Sequence, residues 1–212
     1  WDGQTLDANG GSNDTPLILD STNSNGAHMR FRTNGGTQHF LGCGGGISLG
    51  DSQDLSMRAY DNLLFATGNS STERLRITST GGVNFNNGEL IENCNVTAGK
   101  LSDNQTINLD NGMVHLFTTT ETTTATPNIM STAGINTSLS NGDAITVTLI
   151  TTAAAAAYCA NIQIDGAAVT ENWIGGSAPS DGGSSGVDVH TFSIIKTASE
   201  TFTVLGNQSK TS

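Results

Sequence analysis

Apolar and polar residues alternate along most of this chain with the two-residue period of a β-strand, and helical periodicity is almost absent. Met29 and Phe31 alternate with Arg30 and Arg32, so one strand face can be buried while the other stays solvated. Short segments rich in Gly, Asn and Asp separate the runs. In the first part of the chain the pattern predicts strands over residues 16–20, 28–33, 37–42, 46–49, 55–60, 63–67, 73–78 and 83–86.

The pattern changes after residue 86, where longer runs follow a turn at Asn87-Gly88. The dipeptide Asp165-Gly166 is typical of a hairpin turn, and residues 153–157 are expected to be strand or irregular despite five alanines. Strands are predicted over residues 96–97, 106–109, 113–118, 144–151, 158–164, 187–196 and 201–205. Regularly spaced strands with turn signals predict an antiparallel sandwich or jelly-roll-like unit.

The sequence therefore predicts an all-β protein with two parts. Residues 1–88 are expected to form a fibre-like module of short strands, either a shaft or a knob. Residues 89–212 are expected to form a C-terminal antiparallel β-sandwich, jelly-roll-like, that serves as a tip domain. The first module is poor in large apolar residues and would bury too little surface alone. Three interwound copies would solve this problem, and closed symmetry is the usual outcome of such assembly.

The charge of the chain sets limits on its partners. Its 19 acidic and 8 basic residues give a net charge of −11, which disfavours contact with phosphate backbones and anionic lipid. We expect no nucleic-acid partner. No apolar stretch is long enough to span a bilayer, so we also expect no membrane insertion. The chain opens with Trp1 and shows no signal peptide, which leads us to expect a fragment or a processed chain.

Two stretches carry a resemblance to a known group of proteins. Residues 63–83, LLFATGNSSTERLRITSTGGV, resemble a recurring segment of bacteriophage tail-fibre and related appendage proteins, and so does LILDSTNSNGAHMRF upstream. Residues 98–136, AGKLSDNQTINLDNGMVHLFTTTETTTATPNIMSTAGIN, resemble virion structural and tail-fibre proteins of marine phages, especially those that infect cyanobacteria. Neither stretch is a catalytic signature.

This resemblance implies a homotrimeric virion structural protein: a tail fibre or fibre tip that attaches to the host surface. Its expected location is the virion surface, after assembly in the host cytoplasm. Its expected partners are its own copies, other virion proteins, and a glycan or protein of the host envelope. A head fibre or capsid decoration protein with an architectural role alone is the main alternative. A bacterial surface adhesin is a further one.

A receptor-binding surface is expected around Trp173, because aromatic side chains stack on sugar faces and Trp is frequent at binding surfaces. Gly175, Gly176 and Asp181 belong to the long Gly/Ser-rich loop over residues 175–186 that follows it. Long loops of compact β-units often bind ligands, although a flexible connector is an equally simple interpretation. A Trp buried in the core is the competing interpretation for Trp173.

The candidate catalytic and metal-binding residues are less convincing than this surface. A glycosidase needs two carboxyl groups roughly 5–10 Å apart, and calcium needs several oxygen ligands, but Asp and Asn also cap turns. We expect no enzyme, metal or cofactor, and expect the cysteines to be buried free thiols, a Cys94–Cys159 disulfide being the alternative. The candidate acid pairs are Asp51 with Asp54 and Asp181 with Asp188; the candidate calcium ligands are Asp51, Asp54, Asp61, Asp103 and Asp110; the histidines are His28, His39, His115 and His190.

Overall fold

The computed structural model describes residues 19–33, 35–48 and 50–211. The chain is mostly β-sheet with almost no helix, which confirms the all-β prediction. It divides into two compact units, the first ending at Leu90 and the second beginning at Ile91. The division lies two residues beyond the expected boundary at residue 88.

The first unit contains two separate three-stranded antiparallel sheets. The first sheet has the order β1-β2-β3 and the second has the order β4-β5-β6. The strands are β1 (His28–Thr33), β2 (Thr37–Cys43), β3 (Leu55–Arg58), β4 (Leu63–Thr67), β5 (Thr72–Ile77) and β6 (Val83–Phe85), and a 3-10 helix covers Gly44–Gly46.

The strand predicted over residues 46–49 was wrong for residues 46–48, and Leu49 lies outside the described residues. Gly46 ends the 3-10 helix, and the amides of Ile47 and Ser48 both donate to the Gly44 carbonyl, 3.1 and 2.9 Å away. Three successive glycines supply no side chains for a sheet to pack, so the segment folds back and buries Ile47. Of the strand predicted over residues 16–20, only 19 and 20 lie within the described residues, and they are not strand.

Two adjacent rows on one face of the second sheet are apolar. Leu63, Ile77 and Val83 are aligned across its three strands. The next aligned row on the same face is Phe65, Leu75 and Phe85. None of these six side chains is buried, and Val83 and Phe85 are 56% and 49% exposed. The unit by itself therefore leaves this face uncovered.

The first sheet has two faces of different chemistry. Arg30, Phe40 and Arg58 are aligned across β1, β2 and β3 and therefore share one face. Phe31 on β1 and Met57 on β3 belong to the opposite face, where they are 54% and 51% exposed. The alternation of arginine with apolar residues along β1 thus produces a basic face and an apolar face.

The second unit contains a six-stranded and a four-stranded sheet. Its strands are β7 (Cys94–Thr97), β8 (Thr106–Asn108), β9 (Val114–Thr120), β10 (Asn128–Met130), β11 (Ala144–Thr152), β12 (Gln163–Ile164), β13 (Ala167–Ala168), β14 (Glu171–Trp173), β15 (Val187–Ala198) and β16 (Thr201–Lys210). The only α-helix in the described part of the chain is the single turn α1 (Ile135–Ser138), and 3-10 helices cover Leu101–Asp103 and Leu109–Asn111. The sheet orders are β14-β16-β15-β11-β9-β7 and β13-β12-β10-β8.

Strand pairing in the second unit is mixed, so the prediction of an antiparallel sandwich was wrong in this respect. The pairs β7/β9, β9/β11, β8/β10, β10/β12 and β14/β16 are parallel, whereas β11/β15, β15/β16 and β12/β13 are antiparallel. From β7 to β12 the chain places successive strands alternately in the two sheets, so that neighbours within a sheet point the same way. A jelly roll has antiparallel strands, so this topology departs from it.

Two local predictions in the second unit fared differently. Asp165 and Gly166 have left-handed φ angles of 50° and 82° and join β12 to β13, which confirms the hairpin turn. The predicted strand over residues 158–164 shrinks to Gln163–Ile164, and the alanine run is irregular apart from one bridge between Ala154 and Ala157.

The two sheets of the second unit enclose one hydrophobic core. Val147 on β11 and Phe192 on β15 contribute from the larger sheet, and Ile129 on β10 contributes from the smaller one. All three are fully buried, as the period-two pattern of their strands requires. The remaining core residues include Leu101, Ile107, Phe117, Ile135, Leu149, Ile162, Ile164, Ile194 and Val204. Among the described residues, no helix reaches the length and apolar content that crossing a bilayer requires.

Candidate functional site

Trp173 ends the short edge strand β14 and lies half-buried against the core of the second unit. Its ring meets Phe192 edge to face, with 6.0 Å between centroids and 76° between planes. The indole also covers Gly206, where a Cβ atom would lie 2.9 Å from ring atom Cζ3. Trp173 is therefore in large part a packing residue.

The loop over residues 175–186 is anchored to the second unit. The sequence alone did not distinguish a binding loop from a flexible connector. Gly175 and Gly176 form a turn with left-handed φ angles of 91° and 86°. Further along, Gly182 and Gly183 are buried. The amide of Gly182 donates to the Ala155 carbonyl at 3.0 Å, and the amide of Gly183 donates to Oδ2 of Asp188 at 2.8 Å. Two hydrogen bonds, the second of them buried, thus hold the middle of this loop to the unit.

We expect Gly182→Ala to release this loop. A Cβ atom at Gly182 would lie 2.1 and 2.3 Å from the carbonyl oxygens of Ala154 and Ala157, so the backbone must move. Overpacking of this kind costs about 1–3 kcal/mol, which corresponds to a roughly 5- to 150-fold rise in loop opening. The rate of limited proteolysis within residues 175–186 measures this loop opening, and Ser184→Ala, at an exposed position, is the control. An unchanged cleavage rate would show that the loop is not anchored here.

A shallow depression of about 250 Å³ lies between the loop and β16. Trp173, Ile174 and Asp181 line it from the β14 side and the loop, and Lys210 lines it from β16. Nζ of Lys210 and Oδ1 of Asp181 are 2.7 Å apart and form an exposed ion pair of the kind that contributes at most about 1 kcal/mol. Ile174 is 66% exposed and is the largest exposed apolar side chain among the residues that line this depression.

The candidate acid pairs take part in local structural contacts. Asp188 is completely buried beneath Gly183, whereas Asp181 is exposed and paired with Lys210, so only one of the two can approach a sugar. In the other pair, Oδ2 of Asp54 accepts from the Asp51 amide at 3.0 Å, and Oδ1 of Asp51 accepts from the Gln53 amide at 2.7 Å. These contacts confirm that Asp51 and Asp54 cap a turn.

The other candidate calcium ligands are likewise separate. Asp103 forms an ion pair with Lys100 at 3.1 Å. Oδ2 of Asp110 accepts a hydrogen bond from the Thr132 amide. Hydrogen bonds from the side chain and the backbone of Thr132 lower the pKa of Asp110. Asp61 lies exposed in a bend before β4. Across residues 19–33, 35–48 and 50–211, no group of three or more His, Cys, Asp and Glu side chains is placed to hold a metal ion.

The three cysteines are free thiols, as expected, but only one is buried. Cys159 lies in the core, Cys43 is half-buried, and Cys94 is exposed because it begins β7, the edge strand of the larger sheet. The alternative disulfide between Cys94 and Cys159 is not formed.

A buried polar cluster at one end of the core escaped the sequence analysis. Asp188 and His190 point inward from β15, and Gln208 lies opposite His190 on β16. Nε2 of Gln208 donates to Oδ2 of Asp188 at 3.3 Å. Oδ1 of Asp188, Nδ1 of His190 and Oε1 of Gln208 have no hydrogen-bond partner within the described chain. The signal was present in the sequence, because the apolar positions Phe192 and Ile194 continue the same alternation to Asp188 and His190.

His190 and Cys159 also line a small cavity together with Glu121 and Thr151. Burial lowers the pKa of His190 to about 4, although the charge of Asp188 opposes this. Burial, followed by the charges of Glu121 and Asp188, raises the pKa of Cys159 to about 12. A thiol that stays protonated and a neutral imidazole, both shielded from solvent, do not make an activated nucleophile.

Comparison with protein families, with curated proteins and with solved structures finds no match for this chain.

Proposed function

We propose that this chain is a structural protein of a virion, a homotrimeric fibre or fibre tip that attaches to the host surface. The observation that carries the proposal is the uncovered apolar face of the sheet β4-β5-β6. The proposal also rests on the resemblance of residues 63–83 and 98–136 to phage appendage proteins. It assigns the chain no enzymatic activity.

The physical argument concerns the cost of an exposed apolar sheet face. Each large apolar side chain contributes about 1.5–3 kcal/mol when it is fully buried rather than exposed. The face formed by Leu63, Phe65, Leu75, Ile77, Val83 and Phe85 obtains only part of this contribution within one chain. Contiguous apolar patches on soluble proteins mark interaction surfaces. Three copies arranged around an axis with these faces inward would bury the face.

The second unit supplies a different part of the proposal. It has its own enclosed core and can therefore serve as a compact tip carried by the trimeric first unit. We place the contact with the host at the depression beside the anchored loop, where Trp173, Ile174 and Asp181 lie together. Several copies on one particle would multiply a weak affinity without new contacts.

Ile174→Asp is expected to weaken host adsorption by about tenfold or more, because it places a charge at an exposed apolar residue that lines the depression. Trp173→Ala is a poorer test, since it also removes packing against Phe192 and Gly206. The matched control is Ser199→Asp, an exposed turn position that does not line the depression. Equal adsorption of both variants and the parent would remove this contact surface from the proposal.

The experiment that tests the proposed assembly is the solution mass of the purified chain by light scattering, before and after mild heating in detergent. A mass of three chains that resists detergent supports the fibre. A stable monomer overturns the trimer. A trimer that binds a capsid but never the host cell identifies the architectural alternative, a head fibre or decoration protein.

A further inference from the structure

The face of the first sheet that carries arginine is a concentrated positive surface on an acidic protein. Arg30 and Arg58 flank Phe40 across the three strands, and Arg32 follows Arg30 on the same face of β1. Across two strand spacings Arg30 and Arg58 are about 10 Å apart, and Arg30 and Arg32 are about 7 Å apart along β1. Three of the eight basic residues of the chain therefore share one small area.

These three guanidinium groups are not neutralised within the described part of the chain. The ion pairs found there join Arg76 to Glu73, Lys100 to Asp103 and Lys210 to Asp181. Lys196 is buried and donates to the backbone carbonyls of Asn136 and Leu139. The three arginines of the first sheet are thus exposed without a carboxylate partner, and Arg74 of β5, which donates to Thr67 Oγ1 and the Asn87 carbonyl, is the other basic residue in this state.

Arg58 is held in position for an incoming anion. Its guanidinium carbon lies 4.3 Å from the centre of the Phe40 ring, and Nη1 donates to the Ile47 carbonyl at 2.9 Å. These two contacts fix the plane of the guanidinium while its remaining N–H groups stay available. A preorganised donor loses less entropy when it binds a carboxylate or sulfate.

A depression of about 360 Å³ adjoins Arg58 on this sheet. Gly36, Gln38 and Ala59 line it together with Tyr60, whose side chain is 73% exposed. An exposed aromatic ring offers an apolar platform to the C–H face of a sugar, and the Gln38 amide can donate and accept hydrogen bonds. The guanidinium, the amide and the ring together match a sugar that carries an anionic group.

We propose that this arginine face binds an acidic polysaccharide, a polymer of sugars with carboxylate or sulfate groups at intervals. The inference deepens the proposed function and depends on it for the source of the polymer, the host envelope. The opposite face of the same sheet carries Phe31 and Met57, which the trimer would cover, so the arginines would face outward. Nucleic acid is the less favoured polyanion, because the net charge of −11 repels a densely charged phosphate backbone.

The test measures binding of the full chain to alginate, a polymer of uronic acids, and to dextran sulfate, with neutral dextran as the baseline. Arg30→Gln/Arg58→Gln is expected to lower affinity for the two acidic polymers at least tenfold and to reduce the salt dependence. The control Lys100→Gln/Lys210→Gln removes the same charge from paired lysines of the second unit and is expected to change affinity less than twofold. Arg30→Lys/Arg58→Lys should recover part of the binding, because the charge returns without the planar donor.

Three other outcomes would overturn the proposed arginine face. Equal losses in both double variants would mean that net charge alone drives binding. Tighter binding of a single-stranded DNA homopolymer than of alginate at the same salt would identify a nucleic-acid surface instead. No binding of any polyanion by a chain that scatters as a trimer would reject the arginine face and leave the fibre proposal standing. A monomer that still binds alginate through these arginines would reject the fibre proposal and leave the arginine face standing. Circular dichroism of each variant checks that the sheets are intact.

Discussion

Phe85→Asp is expected to dissociate the trimer into monomers. Phe85 lies on β6 in the aligned row with Leu75 and Phe65, on the apolar face that the copies are proposed to bury. A carboxylate at this position would be removed from water in the trimer without gaining an ion-pair partner, which costs several kcal/mol per charge. Threefold symmetry would repeat the cost in every copy and bring like charges together. Light scattering at micromolar concentration should therefore find the mass of one chain in place of three.

The matched control for this experiment is Asn84→Asp. Asn84 precedes Phe85, is exposed, and points to the opposite face, where it is aligned with Arg76. The same carboxylate is introduced one residue away, yet it faces solvent and a basic neighbour. We expect an unchanged mass and unchanged resistance to detergent. A Phe85→Asp variant that stays trimeric would show that this face is not the interface.

The second unit is expected to lose about 3 kcal/mol of stability between pH 6.5 and pH 4 through His190 alone. Burial lowers the pKa of His190 in the folded chain to about 4, below its ordinary value of 6.5. Because the folded pKa is depressed, the unfolded state takes up a proton first as the pH falls. The stabilisation is complete above pH 6.5, declines through the interval, and is lost near pH 4. The charged groups that face His190 are Asp188 and Glu121, of which Asp188 opposes the shift.

Urea unfolding at a series of pH values measures this contribution, with Trp173 fluorescence in a Trp1→Phe background as the reporter. His190→Phe keeps a ring of similar size in the buried position and removes the titrating group, so its stability should depend less steeply on pH. A residual slope is expected from His115, whose pKa burial also lowers. If parent and variant lost stability in parallel from pH 6.5 to pH 4, His190 would not be the group responsible.

The candidate contact surface shows how far sequence patterns lead. The Gly/Ser-rich loop was located correctly, because Gly and Ser in that density are poor strand formers. Whether it was anchored could not be predicted, since its hydrogen bonds join Gly182 and Gly183 to residues 27 positions before and 5 positions after them. Such partners meet only after the sheets have packed. The burial of Trp173 depended in the same way on Gly206, which follows it by 33 residues in sequence.

Local alternation of side chains determined many of the strands, but not β10, β13 or β14, over which the sequence predicted none. The sequence alone predicted β1 and β4 at their observed bounds, the hairpin turn at Asp165-Gly166, and the separation of arginine from apolar residues on β1. Each of these follows from backbone geometry within a few residues. The direction and sheet of each strand were decided by tertiary structure, because alternation looks the same in parallel and antiparallel pairs. Only the packing of two sheets placed Asp188, His190 and Gln208 together inside the core, where burial rather than local sequence sets the pKa of His190.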